Sequence, residues 1–169
     1  HYRYQQFHKG VEVFGAQYLV HEKQGSVRSS NGNLVGDMTA KSYSLSPNQA
    51  IQNGINHVNA KAYMWEIQEE EQLLKRTSGD VNASYYPTAE LMYYNRYFSS
   101  NGAQYAVAYK MEVYAKDPLA KYVVFVDAQT GKIINAFNKL HTAEVTGTAN
   151  TKYAGSQSIQ TDSTGANSY

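Results

Sequence analysis

Short runs of β-branched and aromatic residues open the chain, with glycines between them. Residues 14–20 have the composition of a strand, and Gly10 and Gly25 separate this run from its neighbours. Residues 30–33 contain Asn-Gly, the strongest short-range signal for a hairpin turn. The pattern predicts a small antiparallel β meander over residues 1–36 that begins within a strand.

Residues 46–62 carry the clearest helical pattern of the chain. Ser46 is a favourable N-cap, Pro47 occupies the first helical position, and Gln49 completes a capping box. Apolar residues then recur at helical spacing and form one stripe: Ala50, Ile51, Ile55, Val58 and Ala62.

Residues 66–76 predict a second helix. Acidic residues 69–71 come early in it and basic residues 75–76 come late, which suits the helix dipole. The acidic run is either a solvated helix face or a cation site, and the sequence favours the solvated face.

After a turn at residues 78–80 the pattern becomes strand-like. Residues 99–102 predict a hairpin turn, and Asp117-Pro118 ends the strand that follows it. The predicted strands are residues 89–98, 104–115, 121–128 and 133–137. Apolar side chains alternate along one face of the second of them: Tyr105, Val107, Tyr109, Met111 and Val113. Helices followed by a meander predict an α+β unit in which a helix covers one sheet face.

From Thr142 onward the composition becomes polar. Thr, Ser, Gly, Asn and Gln dominate, which is typical of a linker or a disordered tail. Val145, Tyr153 and Ile159 mark the places where short strands would fit.

Composition excludes several classes of function. The formal net charge is +1, so neither a nucleic acid nor an anionic membrane is indicated as a partner. The absence of cysteine excludes disulfides, thiol chemistry and cysteine-built metal sites. No apolar run has the length of a membrane helix, and the opening residues do not form a signal peptide. The 16 tyrosines suit either half-buried sheet packing or a broad interface with a partner.

No catalytic constellation is visible. His21-Glu22-Lys23-Gln24-Gly25 begins like the zinc-protease motif His-Glu-x-x-His, but glycine holds the fifth position and the segment ends a strand-like run. The five histidines include no pair at the four-residue spacing of helical zinc ligands. The chain alone is therefore predicted not to be an enzyme, but a binding or assembly protein with no cofactor of its own.

Residues 1–16 resemble the fungalysin/thermolysin propeptide (FTP) module. That module has a His/Arg/Gln-Gln strand followed by Gly-x-x-Val-x-Gly-Ala. Residues 1–6, HYRYQQ, fit the strand, and residues 10–16, GVEVFGA, fit the second motif. The beginning of the module is absent.

Residues 46–138 resemble the PepSY module that follows FTP in protease precursors. Beside the capped helix, the fitting stretches are residues 62–66, 85–91, 106–113 and 126–133. Residues 146–149, TGTA, with residues 153–155, YAG, resemble the first strands of a mature thermolysin-like catalytic domain.

The resemblance implies four segments. Residues 1–45 are an incomplete FTP-like module, and residues 46–138 are a PepSY-like (cystatin-like) module with a helix on an antiparallel sheet. Residues 139–143 are the junction. Residues 144–169 begin the catalytic domain, which is cut off before its zinc motif, so no catalytic or metal-binding residue of the family falls on this chain.

The same resemblance implies a role. Such propeptides are folding templates for their own protease and inhibit it until they are cleaved off. The implied partner is the cognate catalytic domain, with zinc and calcium expected in that domain, and the implied location is extracellular, after bacterial export.

The resemblance also implies which residues meet the protease. The cleavage junction lies at His141, Thr142 or Ala143, and Phe137 and Leu140 face the cleft and fill its apolar subsites. His141 is either a contact to the partner's zinc or a linker residue.

Two alternatives stay open. One is a freestanding secreted PepSY-type module that restrains another protease, and the other is a surface module for adhesion or polysaccharide binding. Continuation of the reading frame into a His-Glu-x-x-His helix decides the first, and glycan-array binding decides the second.

Overall fold

The computed structural model describes residues 1–36, 38, 41–96, 105–140, 144–151 and 155–162. The predicted α+β class is confirmed. No helix in these ranges is long and apolar enough to cross a membrane. The helices are α1 (Pro47–Val58) and α2 (Gln68–Ser78). The strands are β1 (Tyr2–His8), β2 (Val11–Lys23), β3 (Ser26–Gly32), β4 (Ala62–Tyr63), β5 (Glu90–Asn95), β6 (Tyr105–Asp117), β7 (Ala120–Asp127), β8 (Ile133–Asn138), β9 (Glu144–Thr151) and β10 (Gly155–Asp162).

One eight-stranded sheet includes both the opening meander and the later strands. Its order is β1-β2-β5-β6-β7-β8, with β3 added to β2 and β4 added to β6. The two halves join through a short parallel ladder in which Glu12 pairs with Met92 and Val13 pairs with Tyr93. The other pairings in this sheet are antiparallel.

Helix α1 begins as the sequence predicts and ends earlier. The side chain of Ser46 accepts from the backbone of Gln49, and the Gln49 side chain accepts from the backbone of Ser46. Asn59 adopts the left-handed conformation and its N–H caps the carbonyl of Ile55. This cap stops the helix, so Ala62, predicted to extend the apolar stripe, lies in β4 instead.

Helix α2 is displaced by two positions from its predicted range, because a 3₁₀ turn occupies Met64–Glu66. Two of its early carboxylates have partners in the protein. Glu70 accepts from Lys116 at 2.6 Å, and Glu71 accepts from the backbone N–H of Tyr85 at 2.7 Å. These two carboxylates therefore bind groups of the protein itself, and the contacts give no support to a cation site.

The predicted alternation along β6 is confirmed. Val107, Tyr109, Met111 and Val113 are all buried, on the face that α1 covers. Gly54 of α1 lies so close to this face that a Cβ there would stand 2.6 Å from Met111 Sδ.

The Asn-Gly signal was wrong as a hairpin turn. Asn31 and Gly32 lie within β3 and pair with Leu19 and Tyr18, and the turns are at Lys9-Gly10 and Gln24-Gly25. Glycine at position 32 has a packing reason, because a Cβ would come within 2.3 Å of the Gln17 carbonyl oxygen.

The polar tail forms a separate two-stranded antiparallel sheet, β9 with β10. Val145 and Ile159 lie in these strands, as the sequence suggests. Tyr153 and the predicted turn at residues 99–102 are outside the described residues.

Candidate partner-binding face

Two neighbouring glutamines shape the N-terminal part of the sheet. Gln5 Nε2 donates to the carbonyl oxygens of Val13 at 2.7 Å and Ala16 at 3.1 Å. Gln6 binds the backbone of Val35 twice, as donor at 2.7 Å and as acceptor at 2.8 Å. The two Gln5 bonds reach residues of β2 that the irregular ladder with β1 leaves unpaired to β1.

The irregularity in β2 places two residues that are three positions apart, Val13 and Ala16, on the same face of the sheet. Gly15 has a φ of 75°, a conformation that favours glycine. Val13 and Ala16 are fully buried in the core under α1. Phe14, between them, reaches the other face, where its ring lies 5.5 Å from that of Tyr94 and 5.2 Å from that of Phe125.

On that other face, four aromatic side chains form a cluster that we call the aromatic face: Phe14, Tyr94, Phe125 and Phe137. The rings of Tyr94 and Phe125 stack at 4.0 Å and are buried. Phe14 is 37% exposed and Phe137 is 45% exposed. The small buried cluster on this side consists of strand residues, none of them from α1 or α2 in the described part of the chain. The aromatic face therefore presents two partly exposed rings on a base of two buried, stacked rings.

An ion network borders the aromatic face. Glu112 binds Lys121 Nζ through one carboxylate oxygen and Lys139 Nζ through the other, each at 2.7 Å. Val123 pairs with both Glu112 and Phe137, which places all three on one side of the sheet. The hydrogen bonds from Lys121 and Lys139 lower the pKa of Glu112 below its ordinary value.

Asp127 fixes the turn that leads into β8. It is 3% exposed, and its Oδ1 accepts from the backbone N–H groups of Gln129 at 2.9 Å and Thr130 at 2.7 Å. Its Oδ2 pairs with Arg96. Burial by itself raises the pKa of Asp127, but the hydrogen bonds from Thr130 and Gln129 and the charge of Arg96 outweigh it and hold the pKa below its ordinary value. This turn connects β7 to β8, the strand that carries Phe137.

Of the predicted site residues, the structure places Phe137 and Leu140. Phe137 lies on β8 as part of the aromatic face, and Leu140 is half-buried just beyond the end of β8. His141, Thr142 and Ala143 lie outside the described residues. Sequence reasoning missed Phe14 and Tyr94, although the adjacent apolar residues of their strands signal a sheet that is apolar on both faces.

His21 lies on β2, where it is half-buried, and not on a helix. Its Nε2 is 2.7 Å from Asn31 Oδ1, and its Nδ1 is 2.6 Å from His1 Nδ1. Glu22 caps the hairpin turn by accepting from the N–H of Gly25 at 2.6 Å. Within the described ranges, no group of three His, Cys, Asp or Glu residues is arranged to hold a metal ion.

Comparison with known proteins gives these features a family context. Residues 1–34 match the family model described as Fungalysin/Thermolysin Propeptide Motif. The segment carries a protease propeptide motif. The matched residues include Gln5, Gln6 and Gly15, together with Phe14 of the aromatic face.

Similarity also extends beyond the propeptide motif. The chain is 30% identical over 156 residues to bacillolysin of Bacillus amyloliquefaciens, covering 89% of this chain and 27% of that protein. It is 27% identical over 154 residues to bacillolysin of Brevibacillus brevis, covering 87% of this chain and 25% of that protein. The chain thus spans about a quarter of the length of these relatives. Motif and relatives together support a propeptide segment of a thermolysin-like protease precursor.

Proposed function

We propose that this chain acts as folding template and inhibitor of a secreted thermolysin-like zinc metalloprotease until it is cleaved off. Residues 46–138 are its PepSY-like module, residues 139–143 the junction, and residues 144–169 the start of the catalytic domain. The chain has no catalytic role of its own, and zinc and calcium belong to the catalytic domain. The propeptide motif at residues 1–34 carries this proposal.

The aromatic face is the surface through which the chain docks on the protease. Interfaces are enriched in aromatic anchors, and a few of them carry most of the binding energy. Phe14 and Phe137 are half-exposed above the stacked rings of Tyr94 and Phe125, so they are already held in place. Because little side-chain entropy is left to lose, binding through them costs less than binding through mobile side chains.

Strand β8 brings the inhibitory segment to the cleft. It is the last strand in the sheet order, so its outer edge has no strand partner among the described residues. A free edge can pair with an extended segment of another domain. Phe137 on this strand and Leu140 beyond it then fill apolar subsites of the cleft, next to the junction at residues 141–143.

The same surface serves as a folding template. A large catalytic domain depends on contacts between residues far apart in sequence, and such contacts form slowly. A prefolded sheet that binds the native surface of that domain lowers the barrier to forming it. The sheet of this chain rests on its own core under α1 and is available before the catalytic domain folds.

Titration of the mature protease from the same precursor with the 169-residue chain tests the proposal. Peptidase activity is expected to fall to a few per cent at micromolar chain, because the docking face is preformed. A serine protease assayed in parallel controls for nonspecific effects and should keep its activity. Full metalloprotease activity at micromolar folded chain contradicts the proposal.

A further inference from the structure

Three hydrogen bonds hold the chain where it leaves β8. Asn138 Oδ1 accepts from the backbone N–H of Lys121 at 3.0 Å and from the backbone N–H of Leu140 at 3.0 Å. The backbone N–H of Lys139 donates to the carbonyl oxygen of Lys121 at 2.7 Å. Residues 138–140 are thereby tied to the beginning of β7, from the last pair of the β7–β8 ladder onward.

The ion network fastens the same segment from the side. Glu112, on β6, binds Lys121 of β7 with one oxygen and Lys139 with the other. A single carboxylate thus links β6, β7 and the residue that follows β8. Lys139 is 49% exposed, and exposed ion pairs add little to global stability. The arrangement therefore acts locally: it restricts the backbone motion of residues 138–140.

We propose that Glu112 and Asn138 are positioning residues that clamp residues 138–140 and present Leu140 to the protease. This inference rests on the proposed function. Neither residue needs to contact the protease, because each acts by ordering the backbone that carries Leu140.

A clamp of this kind strengthens inhibition by reducing the cost of binding. A free chain loses backbone and side-chain entropy when it is fixed in a cleft. Here part of that loss has already occurred within the propeptide, in the segment that follows Phe137. Loosening the clamp restores the entropy cost and weakens inhibition without changing the docking face.

Two substitutions test the clamp in the full 169-residue chain. Glu112→Gln leaves one acceptor oxygen where two lysines require two, and Asn138→Ala removes the acceptor of two N–H groups. Each is expected to raise the inhibition constant about tenfold, a difference of about 1.4 kcal/mol. Amide exchange at Leu140, followed by NMR, is expected to accelerate at least severalfold.

Two further variants serve as controls. Asn138→Asp keeps an oxygen at the accepting position and is expected to restore both exchange protection and inhibition. Glu90→Gln removes the Glu90–Lys110 ion pair at 3.4 Å and should change neither quantity. The melting temperature of each variant should stay within about 3 °C of the wild type, since exposed pairs contribute little.

The outcomes separate the clamp from the proposed function. Unchanged exchange at Leu140 in Glu112→Gln and Asn138→Ala overturns the clamp, whatever the protease does. Faster exchange with an unchanged inhibition constant overturns its role in inhibition and leaves the propeptide proposal intact. A folded wild-type chain that fails to inhibit overturns the proposed function, and the positioning role falls with it.

Discussion

Replacing Asp127 with Ala is expected to lower the free energy of unfolding by about 2–4 kcal/mol. The exchange leaves the N–H groups of Gln129 and Thr130 without an acceptor and Arg96 without its counter-charge. Urea denaturation of the full chain measures the change. Glu90→Gln, which breaks an exposed ion pair, is the matched control and should cost less than about 1 kcal/mol.

The pKa of Asp127 gives this prediction a pH signature. Its folded-state pKa is lowered, so its stabilising contribution is complete above the unfolded value of about 3.9 and is lost as the pH falls through the folded value. The wild type should therefore lose stability below about pH 4. Asp127→Asn, which does not titrate, should lose less stability over the same interval. If the two proteins lose stability in parallel below this pH, titration of Asp127 is not the cause of the loss.

Replacing Phe137 with Asp is expected to raise the inhibition constant by about 30-fold or more, as loss of an aromatic anchor does in other interfaces. The substitution removes a half-exposed ring from the aromatic face and puts a charge into a surface that loses water on docking. Phe14→Asp should also raise the inhibition constant, because Phe14, on β2, belongs to the same aromatic face. The measurement is titration of the mature protease with each folded variant.

The matched control is an exposed apolar residue away from the aromatic face. Val81, 79% exposed after the end of α2, is suitable. Val81→Asp introduces the same charge and should leave the inhibition constant within about twofold, as a surface exchange outside the interface does. If Phe137→Asp and Phe14→Asp both inhibit as strongly as Val81→Asp, the aromatic face is not the docking surface.

Local signals in the sequence were sufficient for much of the fold. The capping box at Ser46 and Gln49 located the start of α1 because the N-cap bonds join residues three positions apart. The alternation along β6 predicted the core face because side chains of a strand point to opposite sides in turn. Both signals depend on neighbours along the chain, which a single sequence contains.

The features that the sequence did not reveal depend on distant contacts. The parallel pairing of Val13 with Tyr93 joins segments whose strands give no local sign of each other. The signal at Asn31-Gly32 was outweighed by tertiary packing, since glycine is needed there for the close approach of Gln17. Strand pairing and close packing are set by the whole fold, so local pattern leaves them undetermined.

The candidate site shows the same division. Phe137 was placed near the cleft through resemblance to the propeptide family, whereas its neighbours on the aromatic face come from separate strands. Because Val13 and Ala16 belong to the core under α1, a fragment consisting of residues 46–141 lacks part of that core. Inhibition experiments therefore use the full chain, which contains the complete core.

The most direct test of the propeptide assignment is intact-mass analysis of the full precursor before and after activation, with peptidase activity followed in the same samples. The expected result is an inactive precursor that contains this sequence, followed by cleavage within residues 139–143 as activity appears. A gain of activity while residues 1–138 remain covalently attached would contradict the assignment. A precursor whose sequence does not continue into a His-Glu-x-x-His catalytic domain would contradict it as well.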